Sequence, residues 1–174
     1  LTIHDIRRMY SEYGFLERSA FKAALRKSLS KTDRVITVSQ AMKDEILALY
    51  PEIPISVVYN GLDLQAFDNI SVCDQLSFRE KYALPEGFLL AVGHLEKRKN
   101  YLGLIDALAH LRDRGHSFPL LIIGGDSGER KFIENRIASY DLTSQVTLLS
   151  GLSDAEVRCA YKLCRLFIFP SSYE

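Results

Sequence analysis

The chain has 174 residues, with 22 basic and 22 acidic side chains and 47% hydrophobic content. This describes a globular protein able to bury one core or two smaller ones, and the balanced charge gives no electrostatic reason to expect nucleic acid as a partner. Three cysteines, Cys73, Cys159 and Cys164, form an odd set without metal-ligand spacing, so a structural role in a reduced compartment, the cytoplasm, is expected.

In chain order, the first apolar run is Leu1 to His4, which reads as a strand already under way at its first residue. His4-Asp5 closes it. The next strand is Arg34 to Ser39, where Ser39 can cap a helix that buries Met42, Ile46 and Leu49 and stops near Pro51. A third strand runs from Ile55 to Asn60. Residues 61 to 87 then break the rhythm with polar and turn-forming residues around Phe67, a short helical stretch "SFREKYAL" and Pro85-Glu-Gly. A junction near residue 63 divides the chain into domains 1–63 and 64–174.

Four further strands follow: Phe88 to Gly93, Leu120 to Gly125, Val146 to Gly151 and Leu166 to Ser171. The helices between them carry their own end signals. Asn100 can cap one that buries Leu104, Ile105, Leu108 and Leu111 and ends by Gly115. Phe132, Ile133 and Ile137 mark the next. Ser153-Asp-Ala-Glu156 is a capping-box pattern ahead of Val157, Ala160, Tyr161 and Cys164, which share one face. Most strands are continuously apolar, as in a parallel sheet covered on both faces, and the alternation with helices is α/β throughout. No apolar run reaches the roughly 20 residues of a bilayer span, and no signal peptide opens the chain. Both ends read as cut.

"VGHLEKRKN" is the stretch that carries chemistry. A strand ends at Gly93, and His94, Lys97, Arg98 and Lys99 follow within one connection. Loops at the carboxyl ends of parallel strands converge on ligands. A helix N-terminus already carries about half a positive charge, so three cations beside it call for an anion. Phosphate suits both ammonium and backbone N–H groups; a solvated surface turn is the other reading. Gly124-Gly125-Asp126, after the next strand, would bring backbone close to the same crevice, although turn glycines explain it as well. In "LFIFPSSYE", the polar cluster with Ser171, Tyr173 and Glu174 suits hydrogen bonds to a hydroxyl-rich ligand, or else an N-cap for a following helix.

Together, "TIHD", "ITVSQAMKDEI", "VVYNGLDLQAF", "VGHLEKRKN", "LLIIGG", "VTLLSGLSDAEV" and "FPSSYE" resemble the retaining GT-B glycosyltransferases of the group-1, mannosyltransferase-like family. The resemblance covers the whole chain and about half of a family enzyme. It implies two Rossmann-like domains facing across a cleft: residues 1–63 from the end of the acceptor-side domain, 64–174 from the front of the donor domain. Lys99 matches the lysine that binds the donor diphosphate, and Gly93 the glycine that permits close approach. His94 stands where arginine is usual and cannot reproduce arginine's planar bidentate contact, so Arg98 is expected to replace it in part. Glu174 matches the first carboxylate of the family's paired-glutamate motif, beside sugar and ribose. His4 matches a histidine near the transferred sugar, Asn60-Gly61 a loop reaching the cleft, and Leu152 a position near the nucleotide base.

The resemblance further implies transfer from a nucleotide-diphosphate sugar, with GDP-mannose favoured, to a glycan or lipid-linked acceptor. It also implies a cytoplasmic protein with peripheral contact at the membrane face. No D-x-D pair occurs, so no bound metal and no separate cofactor are expected. Two other readings stand beside this one: a catalytically incomplete fragment that binds nucleotide sugar or a partner, and an unrelated doubly wound domain.

Overall fold

In a computed structural model that describes residues 1–10 and 13–173, the Val-, Ile- and Leu-rich runs become short parallel strands. They belong to two compact units, Leu1–Leu62 and Asp63–Glu174. In unit 1, β1 (Thr2–Ile3) leads through a 3-10 turn at Arg7–Met9 to helix α1 (Phe15–Leu29). Strand β2 (Val35–Thr37), helix α2 (Gln40–Leu49) and strand β3 (Ile55–Val57) complete a parallel sheet of order β1-β2-β3. Ser39 Oγ accepts the Met42 N–H at 3.1 Å, so the expected cap of α2 is present. Met42 and Ile46 are buried, but Leu49, expected inside, is 48% exposed in the last turn before Pro51.

Unit 2 opens with helices α3 (Gln65–Asp68) and α4 (Val72–Lys81). It continues as β4 (Leu89–Val92), a 3-10 turn at Lys97–Lys99, α5 (Tyr101–Asp113), β5 (Leu120–Ile123), α6 (Arg130–Ser139), β6 (Val146–Leu149), α7 (Asp154–Leu163) and β7 (Leu166–Phe167). All four strands are parallel in the order β6-β5-β4-β7. Period-two alternation sends Leu89, Ala91, Leu120 and Ile122 to one face, against Leu104, Ile105 and Leu108 of α5 and Ile133 of α6. Leu90, Leu121 and Ile123 go to the other, against Phe78 of α4 and Cys159 and Ala160 of α7. Full burial of each Leu or Ile stabilises by about 1.5–3 kcal/mol, so β4 and β5 form the rigid centre.

Several elements differ from the sequence expectations. Helix α1 is an addition: only Phe21, Leu25 and Leu29 mark its inner stripe, while Phe15 and Leu16 lie on the solvent side and break the periodicity. "SFREKYAL" is the second half of α4, which starts earlier because Ser71 and Asp74 form a capping box. Asn100 does not cap α5 with its side chain. It adopts a left-handed conformation (φ +54°), and a Cβ on Gly103 would come within 2.7 Å of its amide oxygen. Phe132 is 59% exposed on α6. Strand β7 is shorter than its apolar run; it pairs with β4, and Leu166 is 56% exposed. The α7 capping box of Ser153 and Glu156 is formed as expected. The three cysteines are free, and burial pushes the Cys159 and Cys164 thiols above their ordinary pKa. Among the described residues, no helix is long and apolar enough to cross a membrane.

Candidate active site

The strand order makes the site. The chain moves outward from β4 through β5 to β6 and then returns to the other side of β4 as β7. The connections leaving β4 and β7 therefore diverge from neighbouring strands, which is where open α/β sheets hold ligands. The segment 93–100 leaves β4, and the segment 168–173 leaves β7.

These two segments are tied together. The Ser172 N–H and Oγ both donate to the Arg98 carbonyl, at 2.8 and 3.2 Å, and Arg98 Nη1 donates to the Tyr173 carbonyl at 3.1 Å. Arg98 Nη2 also pairs with Glu96 at 2.7 Å. These partners give Arg98 a structural role in the turn. Both terminal nitrogens make contacts within the protein, so Arg98 braces the basic turn. Glu96 likewise offsets one of the three cations that the sequence argument placed unopposed beside the helix.

Lys99 is buried, at 7% exposure. Its ammonium lies 4.4 Å from the Phe169 ring centroid, a cation–π arrangement of the strength expected, about 0.5–2 kcal/mol. Its stem lies over Gly93, where a Cβ would come within 3.2 Å of Lys99 Cε and of the Tyr101 hydroxyl. Gly93 has φ +148°, and its carbonyl accepts the Tyr101 O–H at 2.9 Å. Glycine is thus required here by backbone and by space. Lys97 is exposed.

The connection after β5 packs against the same turn. A Cβ on Gly124 would overlap the Gly93 carbonyl oxygen, and one on Gly125 would meet His94 Nδ1 at 3.3 Å. Leu95, 1% exposed, donates to the Gly125 carbonyl and accepts from the Ser127 and Glu129 N–H groups. Asp126 Oδ1 accepts from Arg130 N–H and Gly128 N–H, which close the start of α6 and hold its carboxyl below the usual pKa. The glycine pair therefore serves close packing of two loops. Sequence reasoning missed the anchor Leu95, whose apolar side chain among polar neighbours was the available signal.

His94 is exposed above Gly125. Ser171 Oγ is buried without a hydrogen-bond partner among the described residues, and Tyr173 is half-buried at the end of the tail. Glu174 lies outside the described residues. Leu152 is half-buried beside the Phe78 and Leu90 cluster. In unit 1, His4 is exposed in a hollow of about 320 Å³ that also includes Asp5, Phe21 and Leu25. Asn60 and Gly61 are exposed after β3.

A doubly wound parallel sheet with a basic, glycine-lined turn at its switch point defines a Rossmann-like ligand-binding domain. The chain belongs to the family described as glycosyl transferases group 1, which matches residues 74–174, while residues 1–66 match Glycosyltransferase Family 4. It is 28% identical to the O-antigen chain mannosyltransferase RfbU of Salmonella typhimurium, over 98% of this chain and 45% of that protein. It is also 28% identical to the serotype-specific mannosyltransferase WbdA of Escherichia coli, over 98% of this chain and 22% of that protein. The chain thus spans about half the length or less of these curated relatives. Among solved structures, Anabaena HepE in complex with UDP and glucose superposes with a TM-score of 0.76, at 21% identity, over 98% of this chain and 45% of that one. The fold is of the GT-B type, α/β with Rossmann-like parallel sheets, as the sequence motifs implied.

Proposed function

We propose that the protein transfers a sugar from a nucleotide-diphosphate sugar to a glycan or lipid-linked acceptor, with retention of configuration and without a divalent metal. The observation that carries this reading is the position of Lys99, buried beside Gly93 and Phe169 at the strand-order switch. Breaking a sugar–diphosphate bond leaves negative charge on the departing phosphate. A fixed ammonium and a helix N-terminus stabilise that charge most in the transition state, where it is largest.

In this reading Lys99 and His94 meet the diphosphate, and Gly93, Gly124 and Gly125 let backbone approach it. Arg98 holds the turn, while Ser171 and Tyr173 serve the sugar and ribose together with the carboxylate of Glu174. Leu152 lies at the base, and His4, Asn60 and Gly61 serve the acceptor side. GDP-mannose is the first donor to test, since the relatives are mannosyltransferases, and HepE, bound to UDP and glucose, makes UDP-sugars the competing donor class. The reaction takes place in the cytoplasm, at the membrane face.

The test is a thermal-shift series on the full chain with GDP-, UDP- and ADP-sugars, since a ligand that binds the native state raises Tm. One nucleotide class is expected to raise it, and Lys99→Ala to abolish the shift. An undiminished shift in Lys99→Ala would refute the assignment. The anomeric configuration of the product tests retention, and turnover in the presence of a chelator tests metal independence.

A further inference from the structure

In unit 2 a hollow of about 310 Å³ opens between α3, α4 and α7. It shares no lining residue with the basic turn or with the tail after β7. Its volume lies at the lower end of the range for small-molecule sites. Phe78 and Cys159, each 3% exposed, give it an apolar floor together with Ile70. Ala66 and Ala155 also line it, and their short side chains leave the space open. The charged groups around the hollow are not equivalent. Glu156 Oε1 accepts from Lys81 Nζ and from the Tyr82 hydroxyl, both at 2.8 Å, and its Oε2 accepts from the Ser153 N–H and Oγ at 2.8 and 2.9 Å. Lys81 is thereby committed to Glu156. Asp74 Oδ2 accepts from the Ser71 N–H and Oγ at 3.1 and 2.7 Å, in the first turn of α4, where the helix pole favours a carboxylate. Arg158 differs from these three. Its Nε is buried without a hydrogen-bond partner, and no carboxylate pairs with its guanidinium among the described residues. A buried donor is destabilising until an acceptor reaches it, and a guanidinium is matched best by the planar oxygens of a carboxylate.

We propose that this hollow binds a small amphipathic carboxylate, with its aryl or short alkyl body against Ile70, Phe78 and Cys159 and its carboxylate on Arg158. The charge pattern selects this ligand class. A cationic ligand would leave Arg158 unpaired and repel it, and a neutral alcohol would supply an acceptor oxygen without the charge that strengthens the bond. The apolar floor in turn gives a bare inorganic anion nothing to bury. The proposal stands on the hollow alone and does not depend on the donor reading.

The full-length protein, labelled with nitrogen-15, is titrated with 3-phenylpropionate, 3-phenylpropan-1-ol and 3-phenylpropylamine, and the amide and arginine Nε–H signals are followed by NMR. The carboxylate is expected to saturate, with shifts at Phe78, Cys159 and the Arg158 Nε–H, and to bind at least roughly tenfold more tightly than the alcohol or the amine. Arg158→Gln should weaken it by on the order of ten- to hundredfold. Ala66→Leu, which fills the hollow and leaves its charges in place, should weaken it by roughly tenfold or more. Lys131→Gln, exposed on α6, should leave it unchanged. Failure of the carboxylate to saturate, or equal binding of the three probes, overturns the proposal without any variant. So does unaltered binding in either hollow variant whose spectrum shows it folded, or an equal loss in the Lys131→Gln control. Saturation with an unmoved Arg158 Nε–H signal also overturns it, because solvent alone would then serve that donor. Lys99→Ala should keep the 3-phenylpropionate shifts while losing the nucleotide-sugar response, so failure of this proposal and failure of the transferase reading are seen separately.

Discussion

In unit 2 both faces of the central strands are covered, with Leu90 and Leu121 fully buried on one side and Ala91 and Ile122 on the other; in unit 1, β2 buries Val35 and Thr37 but leaves Ile36 37% exposed. The strands look alike in sequence, yet the same residue type has a different energetic weight in each. The covered sheet supplies a stiff base from which the loops of the basic turn emerge. The half-open sheet lies in the unit whose helix α1 leaves Phe15 and Leu16 exposed.

The largest expected effect tests that contrast. Leu121→Ala should cost about 2–5 kcal/mol, and Ile36→Ala roughly 1 kcal/mol or less, read from denaturant midpoints; equal costs would break the comparison. Lys99→Ala should lower turnover by on the order of 10²–10³, or about 3–4 kcal/mol in barrier, and lower Tm by only a few degrees through loss of the Phe169 contact. Gly124→Ala should destabilise by about 1–3 kcal/mol, because its methyl group meets a backbone carbonyl, whereas Gly125→Ala meets only the edge of the His94 ring and should cost less. In unit 1, Ser39→Ala removes the α2 cap and should cost about 1 kcal/mol in thermal stability.

The smallest effect is a pH dependence in unit 2. Hydrogen bonds from Lys81 foremost, then from the Ser153 N–H and Tyr82, hold the Glu156 carboxyl at about 2, below its usual 4.5. Its folded pKa is depressed, so its contribution is fully present above about 4.5 and is lost as pH falls toward 2. Glu156→Gln should flatten the acid limb of the stability curve over that window.

Much of unit 2 is legible from spacing alone. Continuous apolar runs gave β4, β5 and β6, and the Ser153–Glu156 box gave the start of α7, because burial and capping are local rules. Helix α1 was not legible, since its exposed Phe15 and Leu16 obscure the Leu25 and Leu29 stripe. The left-handed Asn100 was not legible either, because an Asn before a helix fits both a cap and a turn. At the site, the basic turn and the glycine pair were visible as motifs. The partners of Arg98 were not: the Ser172 and Tyr173 tail lies 74 and 75 residues away in sequence, and no local pattern encodes a contact of that separation.

The bond from the Ser172 amide to the Arg98 carbonyl also has a kinetic meaning. It joins residues 74 apart in sequence, beyond the pairing of β7 with β4, so the basic turn is expected to acquire its final shape late in folding. The Ser172 amide is then expected to lose hydrogen-exchange protection before the amides of β5 as denaturant rises. Loss of protection at both places in one step would instead mean that tail and central sheet open as a single cooperative body.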